Sequence, residues 1–509
     1  MLSDDLTRND PTKLVSSGGP ITQDNTGVEY YCTIFAAGES PLKEGLMWVG
    51  SDDGLIHLTQ DGGKSWNNVT PTQMPEWNMI NSIEPSAFDE GTCYVAATRY
   101  KMGDFKPYLY KTTDYGQTWT EITNGIEDEH FTRVLREDPN RKGLLYAGTE
   151  TGMYISFDDG ANWRSFQLDL PIVPITDLTI KDENLIVATQ GRSLYIIDDL
   201  SVLHQLEVAD NNADFKLFAP KDSYRTKGGG RSYGNTALTA GANHPSGVVT
   251  HFYIKDMDAK DEVSLTYTKA GDTLAHFSTK AKERNKKLSV QKGANTHNWN
   301  TRSDGAERLQ GMILWAASLG GAKAVPGDYT VHLNINGTTQ SQDFKILPDP
   351  RAEASVAQMQ EQYDFINGVN QTVDKAHQSI KKIRSINSKL SAFVKQYGDV
   401  EKVSALVEKA KALKESFSTV EKALYQTQNR SGQDPLNFPI RLTNKLAHVN
   451  SLVGRDDFPP TAQDKVVAAE LTQKINEQLE DFDALVDQEM KEFNAEFNKL
   501  ELDYLAIEE

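Results

Sequence analysis

The chain has 509 residues and a formal net charge of −19, with 53 Lys and Arg against 72 Asp and Glu. That acidic excess argues against nucleic acid, whose affinity rests on phosphates neutralised by cations, and against docking on an anionic membrane surface. No run of about 18 apolar residues is present, so no transmembrane helix is expected, and the opening Met1-Leu2-Ser3-Asp4-Asp5-Leu6 lacks the basic and apolar regions of a signal peptide.

The first part of the chain is a repeat. Thr59-Gln-Asp61-Gly-Gly63-Lys-Ser65-Trp66 matches Thr112-Thr-Asp114-Tyr-Gly116-Gln-Thr118-Trp119, and both match Ser156-Phe-Asp158-Asp-Gly160-Ala-Asn162-Trp163. The pattern is an Asp box, and its copies, 53 and then 44 residues apart, fit one four-stranded propeller blade each. In such a box the Asp carboxylate accepts backbone N–H groups across the turn, Gly supplies a positive φ, and Trp packs between neighbouring sheets. Asp61, Gly63, Trp66, Asp114, Gly116, Trp119, Asp158, Gly160 and Trp163 are therefore structural positions. The flanking strands repeat too: Met47-Trp-Val-Gly50 aligns with Leu145-Tyr-Ala-Gly148, and Cys93-Tyr-Val-Ala96 with Leu185-Ile-Val-Ala188. A fourth copy, Ser193-Leu-Tyr-Ile-Ile-Asp198-Asp199, has lost its Gly and Trp and reads as a terminal, atypical blade. About four blades fit in residues 28–205. Propellers close with about four to eight, so upstream blades or another chain are expected to complete the ring.

Cys32 and Cys93 lie in apolar, strand-like runs and read as small buried hydrophobes. No Cys/His cluster has zinc spacing, so neither a metal site nor a cofactor is expected, although acidic turns can hold calcium weakly through oxygen ligands. Gly228-Gly-Gly-Arg-Ser232 lacks the spacing of a phosphate-binding loop and reads as a flexible loop.

Short alternating runs at 248–254, 263–267, 296–300, 312–316, 329–335 and 342–347 predict a β-sandwich over 206–349. From Pro350 the periodicity is helical, over 352–396, 400–428, 439–453 and 461–505, with breaks at Pro435, Pro439, Pro459 and Pro460. Short connections predict an antiparallel bundle over 350–509. The expected whole is multidomain and mainly β: a partial propeller over 1–205, an immunoglobulin-like sandwich, and a C-terminal helical bundle.

Four stretches carry a family resemblance: Gly18-Gly-Pro-Ile-Thr22 with Asp24–Tyr30 of the sequence, Arg99-Tyr-Lys101 with Pro107-Tyr-Leu-Tyr110, Arg136-Glu-Asp-Pro139 with Gly143-Leu-Leu-Tyr146, and Ala188-Thr-Gln-Gly-Arg192 with Asp198-Asp-Leu200. Together they resemble a bacterial family of large sortilin-like, Asp-box (BNR repeat) propeller proteins, often labelled glycosyl hydrolase or sialidase-like. The resemblance extends to Pro326-Gly-Asp-Tyr329 and the helical tail. It implies further blades before Met1, an immunoglobulin-like module, and export to the periplasm or the outside of the cell. Gln190 stands where the family commonly has His, and His244 where Pro is common.

A sialidase needs three arginines on a carboxylate and a Phe/Tyr-Arg-Ile-Pro motif; Phe438-Pro-Ile-Arg441 has that order reversed and lies in the helical part. A propeller endoglucanase needs two carboxylates facing one cleft. Asp53 and Glu150 invite that reading, but they fall in equivalent repeat turns. Arg99, Arg133, Arg136 and Arg192 depart from the repeat, and the planar guanidinium suits carboxylate recognition; the simpler reading pairs them with acidic turns. With Glu150 they form the candidate ligand site. The expected function is non-catalytic binding of a protein, peptide or glycan, with a sialidase-like or endoglucanase-like glycoside hydrolase as the alternative.

Overall fold

The computed structural model describes residues 3–13, 32–207, 213–226 and 241–500. The Gly18–Tyr30 stretch of the resemblance and the Gly228 loop lie outside them. The chain divides into two compact units, Met1–Leu206 and Glu207–Glu509.

The first unit is a series of antiparallel meanders, each with its strands in sequence order. Blade 1 holds β1 (Ile34–Glu39), β2 (Met47–Ser51), β3 (Ile56–Thr59) and β4 (Asn67–Asn68). Blade 2 holds β5 (Met79–Pro85), β6 (Cys93–Arg99), β7 (Asp104–Thr112) and β8 (Thr120–Glu121). Blade 3 holds β9 (Thr132–Glu137), β10 (Leu145–Thr149), β11 (Gly152–Ser156) and β12 (Arg164–Ser165). Blade 4 has only β13 (Ile175–Lys181), β14 (Asn184–Thr189) and β15 (Leu194–Ile197), followed by the short helix α1 (Ser201–Gln205). The leading strands β1, β5, β9 and β13 neighbour one another in turn, as the inner strands of consecutive propeller blades do.

The repeated Asp-Gly turns close blades 1 to 3, and those of blades 2 and 3 clamp each to the blade before. Asp114 accepts the Thr118 amide at 2.9 Å and its hydroxyl at 2.6 Å, while Thr112 Oγ1 takes the Gly116 amide at 2.9 Å. Asp158 with Asn162, and Asp61 with Ser65, repeat the pattern. Gly116 sits at φ +79°, and a Cβ there would lie 2.7 Å from Val69 of the preceding blade, so both conformation and space require glycine. The indoles then bridge blades: Trp119 Nε1 donates to Val69 O and Trp163 Nε1 to Ile122 O, each at 2.7 Å. Trp163 is buried, whereas Trp119 and Trp66 are half-buried, less than the expectation of largely buried indoles.

Strand register aligns the blades: Met47 pairs with Thr59, Cys93 with Thr112, Leu145 with Ser156 and Leu185 with Ile197. The faces follow from this. Trp48, Tyr94 and Tyr146 occupy one position and are each at most 2% exposed, turned toward the next blade. Ile56 and Leu58, and Met153 and Ile155, are buried on the same face. Their counterparts in blade 4, Leu194 and Ile196, are 64% and 57% exposed.

In the second unit, one sheet runs in the order β16 (Phe215–Leu217), β18 (Val248–Ile254), β21 (Gly293–Trp299). The other runs in the order β17 (Ser223–Arg225), β23 (Thr338–Pro348), β22 (Gly327–Ile335), β19 (Val263–Lys269), β20 (Asp272–Ser278). The two share a core of Val248, Phe252, Leu265, Tyr267, Trp299, Val331 and Phe344, so they form a sandwich. The β17–β23 pair is parallel. Residues 312–316, expected as a strand, are not one. Met312 and Leu314 pack into the helical core, the Ile313 amide donates to Tyr425 Oη and the Trp315 amide to Asn444 Oδ1; the segment's apolar alternation is answered by helices.

The helical part comprises α2 (Val356–Tyr397), α3 (Ser404–Leu424), α4 (Leu442–Val453), α5 (Ala462–Ala484) and, after a π-helical turn, α6 (Met490–Asn498). Ser355 with Gln358 and Thr461 with Asp464 form capping boxes that start α2 and α5. Ile380, Ile383, Leu413, Phe417, Leu446 and Ile475 lie in their common core.

Candidate functional site

One edge of the blades collects three of the sequence-derived candidates, Arg99, Arg133 and Glu150. In blades 1, 3 and 4 the turn between the second and third strands bonds back to the residue leading into the inner strand: Asp52 N to Thr33 O, Glu150 N to Phe131 O, Gln190 N to Pro174 O. Blade 2 achieves the same closure with a side chain, Arg99 Nε donating to Glu76 O at 3.1 Å.

Each candidate is placed as follows. Arg99 also faces Asp104 at 3.5 Å, and Asp104 accepts the Tyr108 hydroxyl at 2.7 Å. Burial alone would raise the Asp104 pKa, but the bonds from Tyr108, Lys106 and Arg99 outweigh it and hold the carboxyl below its usual range. Arg133 directs Nε and Nη2 to Glu150 Oε2, both at 2.6 Å, and its guanidinium lies over the Phe131 and Tyr100 rings. Arg136, three residues further along β9, ties three inner strands: Nε to Leu178 O at 2.8 Å, Nη1 to Ser82 Oγ at 2.7 Å, Nη2 to Asp177 at 2.8 Å, with Glu84 3.6 Å away. Arg192 is exposed in the β14–β15 turn, where Nη1 donates to Gly191 O. Arg99, Arg133 and Glu150 share the blade edge, Arg136 lies along the inner strands, and Arg192 stands apart on blade 4. Asp53 and Glu150, the tempting carboxylate pair, are both engaged: buried Asp53 accepts the Arg8 amide at 2.7 Å and the Ser51 hydroxyl, and Glu150 holds Arg133.

Two features escaped sequence reasoning. The first is an aromatic platform. Tyr100 stacks on Phe131 with centroids 5.1 Å apart and planes at 18°, and Phe105 tilts against Phe131 at 6.1 Å. Phe105 and Met102 are about half exposed at the tip of the β6–β7 hairpin. Its signal was in the spacing: Cys93 to Asp114 spans 21 positions, against 14 from Met47 to Asp61 and 13 from Leu145 to Asp158. The extra length is this hairpin. The second is Glu84 on β5. Burial pushes its carboxyl up to about 7 despite nearby Arg136. Nothing in the repeat marks that position. Among the described residues, no group of three or more His, Cys, Asp or Glu side chains is placed to hold a metal ion, and no helix is long and apolar enough to cross a membrane.

Packed meander blades with their inner strands side by side define a propeller-type protein. No family model matches the chain. It is distantly similar to xyloglucanases. The oligoxyloglucan-reducing end-specific xyloglucanase of Emericella nidulans is 23% identical over 108 residues, 21% of this chain and 13% of that protein. Xyloglucanase Xgh74A of Acetivibrio thermocellus is 25% identical over 166 residues, 28% of this chain and 20% of that protein. The chain thus spans a fifth or less of the length of these relatives. Solved structures with weak likeness include YCF48 bound to D1 peptide, with 20% identity, TM-score 0.27, and coverage of 33% of this chain and 52% of that one. A GH74 xyloglucanase from Xanthomonas campestris has 13% identity, TM-score 0.28, and coverage of 62% and 45%.

Proposed function

We propose that this chain is a non-catalytic propeller protein that binds a glycan on the blade edge formed by Tyr100, Phe105 and Phe131, and that it works outside the cytoplasm. The observation that carries the reading is the lengthened β6–β7 hairpin, which departs from the repeat and leaves Phe105 and Met102 half exposed beside stacked rings. Of the three rings Phe105 is the exposed one, with Phe131 buried and Tyr100 half-buried, and an aromatic ring with one wet side suits a ligand that is part apolar and part hydroxylated. The arginine forks there are filled by Glu150 and Asp104, as the simpler reading of the sequence has it, which favours a neutral ligand over one carrying a carboxylate. Similarity to xyloglucanases supports a β-glucan-type chain. The test is calorimetric titration of the protein with xyloglucan oligosaccharides. Wild type is expected to bind, and Phe105→Ala to lose tenfold or more, about 1.4 kcal/mol. Unchanged binding by Phe105→Ala and Tyr100→Ala sinks the idea.

A glycoside hydrolase is the second reading. One observation favours it: Glu84, a carboxyl with its pKa pushed up to about 7, and Asp177 flank the same guanidinium of Arg136. A carboxylic acid kept protonated beside a second carboxylate is the arrangement glycosidases use for leaving-group protonation. Release of reducing sugar from xyloglucan by wild type, abolished in Glu84→Gln, would decide for this reading.

A further inference from the structure

Between β21 and β22 the chain leaves the sandwich and lies across the helices. The described residues 303–322 carry neither strand nor helix. They form a loop with a closed neck: Arg302 and Lys323 make an antiparallel bridge, and the Ser303 amide donates to Ala322 O and the Ala306 amide to Leu319 O, each at 2.9 Å. A segment closed at its neck can open locally without unravelling the sheet that carries it. Ala306, Leu309 and Met312 are buried in the helical core, so the loop is a strap over the bundle.

Side chains of the helices fasten this strap. From α2, Asp374 Oδ1 accepts the Glu307 amide, Lys381 pairs with the Glu307 carboxylate, and Asn370 Nδ2 donates to Gly320 O at 3.1 Å. From α4, Asn444 accepts the Trp315 amide at 2.8 Å and donates to Trp315 O at 2.9 Å. Tyr425 Oη, just after α3, accepts the Ile313 amide at 3.0 Å. Two imidazoles complete the fastening: His377 Nδ1 bonds Glu307 O at 2.6 Å, and His448 Nδ1 bonds Ala316 O. A carbonyl only accepts, so Nδ1 carries the proton in both rings.

The rings differ in their surroundings. His448 is half-buried. His377 is 0% exposed, and its Nε2 is a bare lone pair with no hydrogen-bond partner among the described residues. A proton arriving at that Nε2 creates a buried N–H without an acceptor and a charge without water. Lifting the strap lets water reach both. Burial holds the His377 pKa below its ordinary 6.5, against the bond to Glu307 O and the carboxylates of Asp374 and Glu307, while Lys381 adds to the depression. The charged groups that α3 and α5 send to α2 are engaged elsewhere, Glu421 with Arg384 and Lys465 with Glu361.

We infer that residues 303–322 are an acid-released strap, held shut by neutral His377 and lifting from α2 and α4 as a unit when that ring is protonated, which uncovers the apolar helix surface beneath Leu309 and Met312. The closed strap binds fewer protons than the lifted one. Closure is therefore fully favoured above the ordinary histidine value and weakens as pH falls below it. His448 donates through Nδ1 whether its ring holds one proton or two, so the response belongs to His377.

The test is hydrogen exchange of the full chain, read by mass spectrometry at about pH 7.5 and about pH 5.5 and corrected for intrinsic exchange rates. The strap amides of Glu307, Ile313 and Trp315 are expected to lose tenfold or more of their protection at the lower pH, while those of β22 and β23 keep theirs. His377→Asn keeps a side-chain donor and cannot take up a proton, so it is expected to abolish the loss; His448→Asn is expected to leave it in place. Asp374→Asn keeps an acceptor for the Glu307 amide and removes a carboxylate that favours the charged ring, so it is expected to move the loss to lower pH. That half-buried change decides the matter if His377→Asn does not fold. Equal strap protection at the two pH values overturns the proposal, and so does a loss shared by β22 and β23, which is general unfolding. Release that persists in His377→Asn, disappears in His448→Asn, or is not moved to lower pH by Asp374→Asn overturns the part given to His377.

Discussion

Glu84 shows how one residue's surroundings become a measurable property of the chain. Burial raises its pKa from 4.5 to about 7, so the folded protein holds a proton that the unfolded chain has released. A group with a raised carboxyl pKa binds more protons when folded, and stability then falls as pH rises across the window between the two values. The loss begins near the unfolded value and is complete above about 7, reaching about 1–3 kcal/mol. Glu84→Gln is expected to match wild type in urea unfolding at pH 4.5 and to exceed it at pH 8. Parallel pH profiles for the two would refute the assignment. The exposed Asp61 behaves in the opposite sense: bonds from the Ser65 amide and hydroxyl hold it to about 2, so its contribution is present above the ordinary carboxyl range and is lost as pH falls from there toward 2. The indoles offer a graded comparison. Trp163 is 5% exposed and bonded to Ile122 O, so Trp163→Ala is expected to cost about 3–5 kcal/mol. Half-buried Trp119 is expected to cost less, although its bond to Val69 O is as short. Equal costs in chemical denaturation would mean that exposure is not what sets the difference.

At the scale of elements, the repeat made blades 1 to 3 legible because each Asp-Gly turn is local: its donors and acceptors lie within a few residues, so the sequence carries the whole motif. The strands of 248–254 and 329–335 were readable for a similar reason, since their alternation matches a sheet with one buried face. The segment 312–316 was misread because alternation does not say what will cover it, and Tyr425 and Asn444, more than a hundred positions away, supply its bonds. The candidate arginines were found as departures from the repeat, but their partners were not. Glu150 was foreseeable next to Arg133 in the same blade, whereas Asp177 and Leu178 reach Arg136 from the next one. Blade 4 carries the most distinctive element-level consequence. Leu194 and Ile196 stand where Met153 and Ile155 are buried, so an identical polar change must differ in effect between the blades. Leu194→Lys with Ile196→Lys is expected to leave thermal stability within about 0.5 kcal/mol, as exposed changes do, and to raise solubility by removing an apolar patch. Met153→Lys is expected to unfold the blade. A strong destabilisation from the Leu194 and Ile196 pair would show that the blade 4 face is covered in solution.

At the scale of the molecule, the chain is two compact units, Met1–Leu206 and Glu207–Glu509, and their unfolding is expected to separate accordingly. Each unit has its own hydrophobic cores. Within the second unit, Arg225 connects the sandwich to the helices: it leaves strand β17 and bonds Gln362 of α2 and Asp457 after α4. Removing one partner of a buried pair strands the other without its counter-charge, at about 3–5 kcal/mol. Arg225→Ala therefore leaves Asp457 buried beside Lys323 alone and leaves the Lys323 and Ala324 carbonyls without donors. In differential scanning calorimetry two transitions are expected, one per unit. Arg225→Ala is expected to lower one of them by roughly 5–10 °C, from the usual relation between stability change and melting temperature in a domain of this size, and to leave the other in place. Trp163→Ala is expected to do the reverse. The pair of variants identifies each transition without dissecting the chain. If both variants shift a single shared transition, the two units unfold as one. If Arg225→Ala instead splits its transition in two, the sandwich and the helices retain separate stabilities once their shared ion pair is gone, and the junction that Arg225 makes is what fuses 206–349 and 350–509 into one cooperative body.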